Sequence, residues 1–100
     1  MIATGEPIPA TQAAQFGLIN AAVPANEVMP VALDLAHRVT ANAPIAVRES
    51  LSVARRAADL PEAELWTVSR EASGRVRATE DFKEGVAAMA ARRPPKFKRQ

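Results

Sequence analysis

A mainly α fold of about five helices is predicted by three features of this 100-residue chain. Apolar residues recur at three- and four-residue spacing along separate windows, the pattern of a helix with one covered face. A proline or a capping side chain opens each window. Alanine, the strongest helix former, supplies nearly half of a hydrophobic content of 48%.

The first helix is short, from about Ala10 to Phe16, entered after Pro9 and closed by Gly17, which suits the left-handed residue that ends helices. Leu18 to Val23 reads as a brief extended link ended by Pro24, whose ring disfavours helical geometry in the residue before it. Asn26 is the expected cap of the second helix, where Val28, Ala32, Leu35 and Val39 form an apolar stripe reaching about Ala41. Pro30 falls in its first turn, where a missing N–H costs little. Pro44 opens the third helix, with Val47, Leu51, Ala54 and Ala58 as its apolar face. Asp59 with Glu62 makes a variant capping box for the fourth, along which Leu65, Ser69, Ala72 and Val76 share a face.

Gly74 inside that helix costs about 0.5–1 kcal/mol relative to alanine, so close approach by a neighbouring backbone is expected there. Thr79 caps the fifth helix. Glu80 and Asp81 lie at its positive end and Arg92 and Arg93 at its negative end, each contributing about 0.3–1 kcal/mol. Pro94 and Pro95 stop it. The resulting organisation is a short helix and link over 1–24, a helical region over 25–94 and a basic tail over 95–100.

A chain of this length buries only roughly 60–65% of its unfolded surface. Alanine contributes little apolar area to that interior, and only Phe16, Trp66, Phe82 and Phe97 offer aromatic anchors. The stripes at 28–39 and 47–58 therefore call for a partner surface.

The formal net charge is +2, yet Arg92, Arg93, Lys96, Lys98 and Arg99 carry five positives with no acid among them, leaving the rest at −3. This asymmetry points to an anionic partner at the C-terminal end, the alternative being a solvated tail. Nucleic acid does not fit that role, since only Phe97 interleaves the basic residues and no helix has a continuous basic face. There is no cysteine, which excludes disulfides and thiolate chemistry. No apolar run approaches a membrane span and no signal-peptide pattern opens the chain, so the expected compartment is the cytoplasm.

No self-sufficient catalytic or metal site is legible. His37 is the sole histidine and lies away from the apolar stripe, as a surface residue. Ser50, Ser52, Ser69 and Ser73 lack nucleophile-elbow glycines. The four glycines are too scattered to cradle a phosphate. The pairs Glu80 with Asp81 and Glu62 with Glu64 suit helix N-termini rather than acid–base chemistry.

Three segments in order resemble the enoyl-CoA hydratase (crotonase) family. TGEPIPATQAAQFGLINAAVP is similar to a Thr-Gly turn leading to a short helix that ends in Gly-Leu-Val-Asn. ANAPIAVRESLSVARRA resembles an Ala-Pro helix start, and ATEDFKEG followed by RRPPKF resembles the family's last helix and basic, proline-containing end. Leu51, Pro9 and Lys98-Arg99 depart from the residues usual at their positions.

The resemblance implies the C-terminal helical region of that fold, without the N-terminal spiral of strand–strand–helix units. In the family's hydratases that spiral carries the oxyanion-binding N–H groups and two glutamates that add water to a trans-2-enoyl-CoA in fatty-acid oxidation. The helical region builds homo-oligomers, trimers or dimers of trimers. Coenzyme A then belongs to the acyl-CoA substrate, with no separate cofactor. Isomerisation, thioester hydrolysis or a non-catalytic assembly role are the alternatives. The last helix of a neighbouring subunit often lends an aromatic residue and a lysine to the adenine and ribose phosphate. Met89 and Arg92 stand at those two positions, where a methionine can cover a ring and an arginine can grip a phosphate. Met89 as core and Arg92 as a mere dipole partner is the competing reading.

Overall fold

The structure, a computed structural model, describes residues 3–98. Its helices are α1 (Ala10–Gln15), α2 (Val28–Thr40), α3 (Pro44–Arg56), α4 (Glu62–Arg77) and α5 (Glu80–Ala90), with a 3₁₀ turn at Ala25–Glu27 and no strand among the described residues. Five helices match the expectation from the sequence. The chain divides into two units, Met1–Leu35 and Ala36–Gln100, with the boundary falling inside α2.

In the first unit, α1 follows Pro9 and ends in a Schellman turn. The Gly17 N–H donates to the Ala14 carbonyl at 3.0 Å and the Leu18 N–H to the Ala13 carbonyl at 2.9 Å, with Gly17 at φ 71°. That left-handed geometry is the reason for glycine there. The expected extended link is instead a set of bends followed by irregular chain. The Asn26 cap does not form. Pro24 occupies the cap position of the 3₁₀ turn with no side-chain bond, and its carbonyl accepts from the Glu27 N–H at 2.9 Å. The turn thus starts on a proline with its φ already set and without the side-chain bond expected of Asn26.

In the second unit, the Asn42 side chain closes α2 by donating Nδ2 to the Arg38 carbonyl at 2.7 Å. Pro44 is at the first position of α3, as predicted. The packed face of α3 differs from the predicted one. Of the predicted residues Ala54 lines the groove shared with Ser69, Ala72, Ser73 and Val76 of α4, joined there by Ala46, Glu49, Ser50 and Val53, whereas Leu51 is 48% exposed and Ala58 lies beyond the helix. The Arg75 guanidinium donates to Glu49 at 2.8 Å across this pair and holds the Glu49 carboxyl below the usual carboxylate range, against the opposing effect of desolvation. A pair this exposed sets register more than strength.

The expected face of α4 is covered as predicted, with Ala72 buried and Leu65, Ser69 and Val76 partly so. Its capping box is absent. Pro61 is the cap residue and has no side-chain bond, while Asp59 belongs to the preceding turn through its N–H to Arg56 at 3.0 Å. Gly74 has nothing within 4 Å of where a Cβ would stand, so the close approach expected from its presence does not occur among the described residues. Nor are Phe16, Trp66 or Phe82 anchors, being 66%, 59% and 40% exposed.

Thr79 joins α4 to α5 through one hydroxyl. It donates to the Val76 carbonyl at 2.7 Å and accepts from the Phe82 N–H at 3.1 Å, satisfying one helix's last turn and the next helix's first. Thr79→Ala is expected to lower stability by about 0.5–2 kcal/mol, with Thr79→Ser keeping most of it. Urea unfolding of the three proteins checks this, and an unchanged midpoint for Thr79→Ala would overturn the assignment.

Candidate functional site

The final helix and the chain beyond it carry the densest set of polar contacts. Helix α5 ends at Ala90 in a second Schellman turn, before the prolines are reached. The Arg92 N–H donates to the Met89 carbonyl at 3.1 Å and the Arg93 N–H to the Ala88 carbonyl at 3.0 Å. Arg92 occupies the left-handed position at φ 49° and is the one non-glycine residue with positive φ among those described.

The prolines do not project the basic segment outward. Residues 93–98 run back along α5, pinned by two carboxylates. Glu84 accepts a forked pair from the Arg93 guanidinium, at 2.6 Å and 3.0 Å, and also the Lys96 backbone N–H at 2.7 Å. Asp81, which is only 2% exposed, accepts the Lys98 N–H at 2.6 Å. The Phe97 ring lies 3.8 Å from where a Gly85 Cβ would stand. The covered face of α5 is thus Asp81, Glu84, Gly85 and Ala88, and the returning chain lies along it. Arg99 lies outside the described residues.

The residues singled out from the sequence separate under this geometry. Met89 is 77% exposed, which removes the reading of it as core of this chain. With Phe82 and Val86, 40% and 49% exposed, it continues an open apolar stripe at helical spacing. Arg92 follows three residues on. Arg93, read as a dipole partner, is instead committed to Glu84. Among the acids, Glu80 pairs with Lys83 at 2.6 Å, so only Asp81 adds a role beyond the helix end. Glu84 is the residue that sequence reasoning missed as a partner. The available signal was an acid nine residues before an arginine, with a helix-ending turn between them.

Among the described residues no group of histidine, cysteine, aspartate and glutamate could hold a metal ion. Among the same residues, no helix is long and apolar enough to cross a membrane. What the arrangement offers is a cationic helix end beside an apolar stripe, suited to a ligand with an anionic group and a flat or apolar surface.

The Glu84 carboxyl is held down to about 2 from an ordinary 4.5, first by the Arg93 fork and next by the Lys96 amide, with desolvation opposing both. A carboxylate with a depressed folded value contributes stability that is complete above its unfolded value and lost as pH falls through the folded one. The returning chain is therefore expected to stay pinned down to pH 4.5 and to come free between 4.5 and about 2. Carbon-detected titration of the Glu84 carboxyl checks this, and a midpoint at the ordinary 4.5 would overturn it.

The family model described as enoyl-CoA hydratase/isomerase matches residues 1–100. An enoyl-CoA hydratase of Mycobacterium tuberculosis is 35% identical over 97% of this chain and 36% of its own length. The 2,3-dehydroadipyl-CoA hydratase of Escherichia coli is 34% identical over 98% of this chain and 38% of its own. Among solved structures, an enoyl-CoA hydratase subunit from Geobacillus kaustophilus superposes with a TM-score of 0.92 at 32% identity, covering 97% of this chain and 38% of that one. The chain spans well under half the length of the relatives it matches.

Proposed function

We propose that this chain, which belongs to the enoyl-CoA hydratase/isomerase family, is the C-terminal helical part of a hydratase-like enzyme, serving its oligomerisation and its hold on coenzyme A. The reaction is hydration of a trans-2-enoyl-CoA, in which the water oxygen bonds to C3, a proton is delivered to C2, and a 3-hydroxyacyl-CoA results. By the resemblance, the acid–base glutamates and the oxyanion-binding N–H groups come from the spiral, and no catalytic residue is assigned within this chain. The compartment read from the sequence is the cytoplasm.

The observation that carries this reading is the pairing of an exposed Met89 with Arg92 at the end of α5, in a chain matched almost throughout to proteins named for hydrating coenzyme A thioesters. The two named relatives share the coenzyme A thioester in their names. A contact to the coenzyme rather than to the acyl chain is the part of such a site that a common segment can supply. Oligomerisation is supported by the apolar side chains left open: Leu35 and Val39 on α2, Leu51 on α3, and the α5 stripe. Those faces suit homo-oligomeric contacts. Isomerisation remains the alternative reaction, because the family description spans both and the residues that choose between them are not assigned here.

Two outcomes are expected. The isolated chain gives only the background rate with crotonyl-CoA and sediments as a self-associated species. Turnover that survives repurification and is lost on mutating this chain would overturn the division of labour. In the assembled enzyme, Arg92→Ala raises the apparent KM about 5–30-fold with little change in kcat, the loss of a charge-assisted contact of about 1–2 kcal/mol. The penalty shrinks as salt rises, because ions screen the wild-type contact. Full retention of the preference for substrate over its 3′-dephospho analogue in Arg92→Ala would return Arg92 to a purely helix-ending role.

A further inference from the structure

The chain contains the same helix-ending turn twice, with different residues at its left-handed position. After α1 that residue is Gly17 at φ 71°, and after α5 it is Arg92 at φ 49°. Glycine adopts this conformation freely, whereas a side chain with a Cβ meets steric cost there. A side chain placed where glycine would be more stable needs something to hold it, and the surroundings of Arg92 supply this on both sides. Behind it are the hydrogen bonds to the Met89 and Ala88 carbonyls. Ahead of it, the next residue is forked onto Glu84, Lys96 is bonded by its N–H to the same carboxylate, and Lys98 is bonded to Asp81.

We infer that Glu84 is a positioning residue for phosphate recognition: by gripping Arg93 and the Lys96 amide it fixes Arg92 in the left-handed turn and so aims its guanidinium at a phosphate monoester. The inference rests on the reading of Arg92 as the coenzyme's ribose-phosphate contact and adds the residue on which that contact depends. Glu84 does not touch the ligand. Its carboxylate oxygens are occupied within the chain, and its negative charge is balanced by the Arg93 fork, leaving the Arg92 guanidinium without an ion-pair partner among the described residues. Geometry also explains why two successive arginines are not redundant. One closes the clasp and the other is presented by it.

The test uses this chain within the assembled enzyme, where the coenzyme contact is proposed to form, and two probes, adenosine 3′,5′-bisphosphate and adenosine 5′-monophosphate, which differ by the 3′-phosphate alone. Binding is followed by amide and guanidinium NMR shifts. The wild-type chain is expected to favour the bisphosphate about 5–30-fold, consistent with one charge-assisted contact, and Arg92→Ala to abolish the preference. Glu84→Gln and Arg93→Lys are expected to reduce it by about threefold or more, the second variant keeping the charge while losing the fork. Adding Glu84→Gln to Arg92→Ala should change nothing further, because both act through one contact.

Arg92→Gly should raise the thermal midpoint while losing the preference, a combination that a merely structural arginine does not give. If the preference survives Glu84→Gln and Arg93→Lys but not Arg92→Ala, Arg92 keeps its role and the positioning by Glu84 is overturned. Additive losses in the double variant overturn it as well. Absence of any preference in the wild-type chain overturns both the positioning and the phosphate contact on which it rests.

Discussion

Every fully buried apolar residue among those described is an alanine: Ala13, Ala72 and Ala88. Small side chains let backbones approach closely but remove little apolar area from water, so this interior contributes far less than a leucine-rich one of the same length. The consequence appears at the surface. Two compact units of 35 and 65 residues, even out of contact, would expose about 6,500 Å², whereas this chain exposes 8127 Å². Among the exposed side chains are valines, leucines, methionines and aromatics that a self-contained domain would cover. Local order must then rest on devices that need no deep core, namely proline-initiated helices, Schellman turns, one bridging threonine and carboxylates that accept backbone N–H groups.

That distribution decides which parts of the fold were legible in the sequence. Helix number and extent follow from local signals, and Pro9, Pro44, Thr79 and Gly17 act as read. Helix starts assigned to polar caps fared worse, because Pro24 and Pro61 supply fixed geometry and a carbonyl where Asn26 and Asp59 were expected to supply a side chain. The packed face of α3 was misread for a different reason. Leu51 made its own face look the more apolar, yet α4 is set against the side carrying Ala46 and Val53, with Glu49 bonded to Arg75. Apolar spacing alone did not single out the packed side of α3, and the Glu49–Arg75 pair across the two helices marks it in the structure.

Of the proposed site, Met89 and Arg92 were named from the family resemblance, and the contacts that surround them were not read from the sequence. The return of 93–98 along α5 depends on backbone donors at Lys96 and Lys98 reaching acids 12 and 17 residues away. Backbone groups carry no residue-specific signal, so composition could register the basic side chains of this stretch but not the contacts its main chain makes. Asp81 illustrates the gap. Its place in the first turn of α5 suggested helix-dipole compensation, a modest surface role, while its near-complete burial and its bond to Lys98 make it an anchor for the returning chain.

Under the proposed coenzyme contact, the same contacts change how the basic end would meet an anion. Counted along the sequence, Arg92 to Arg99 is a run of five positives. In space, Arg93 is neutralised by Glu84, and Asp81 lies beside the Lys98 backbone, so the field at this end is much weaker than the count implies. At physiological ionic strength exposed charges are screened beyond about 8 Å, and a patch of mixed sign steers distant anions poorly. Selectivity must therefore come from geometry at short range, where a planar guanidinium on a fixed backbone matches phosphate oxygens better than a flexible tail of equal charge. The clasp gives up bulk positive potential and gains a defined direction for one arginine, which suits discrimination of a single phosphate more than attraction of polyanions.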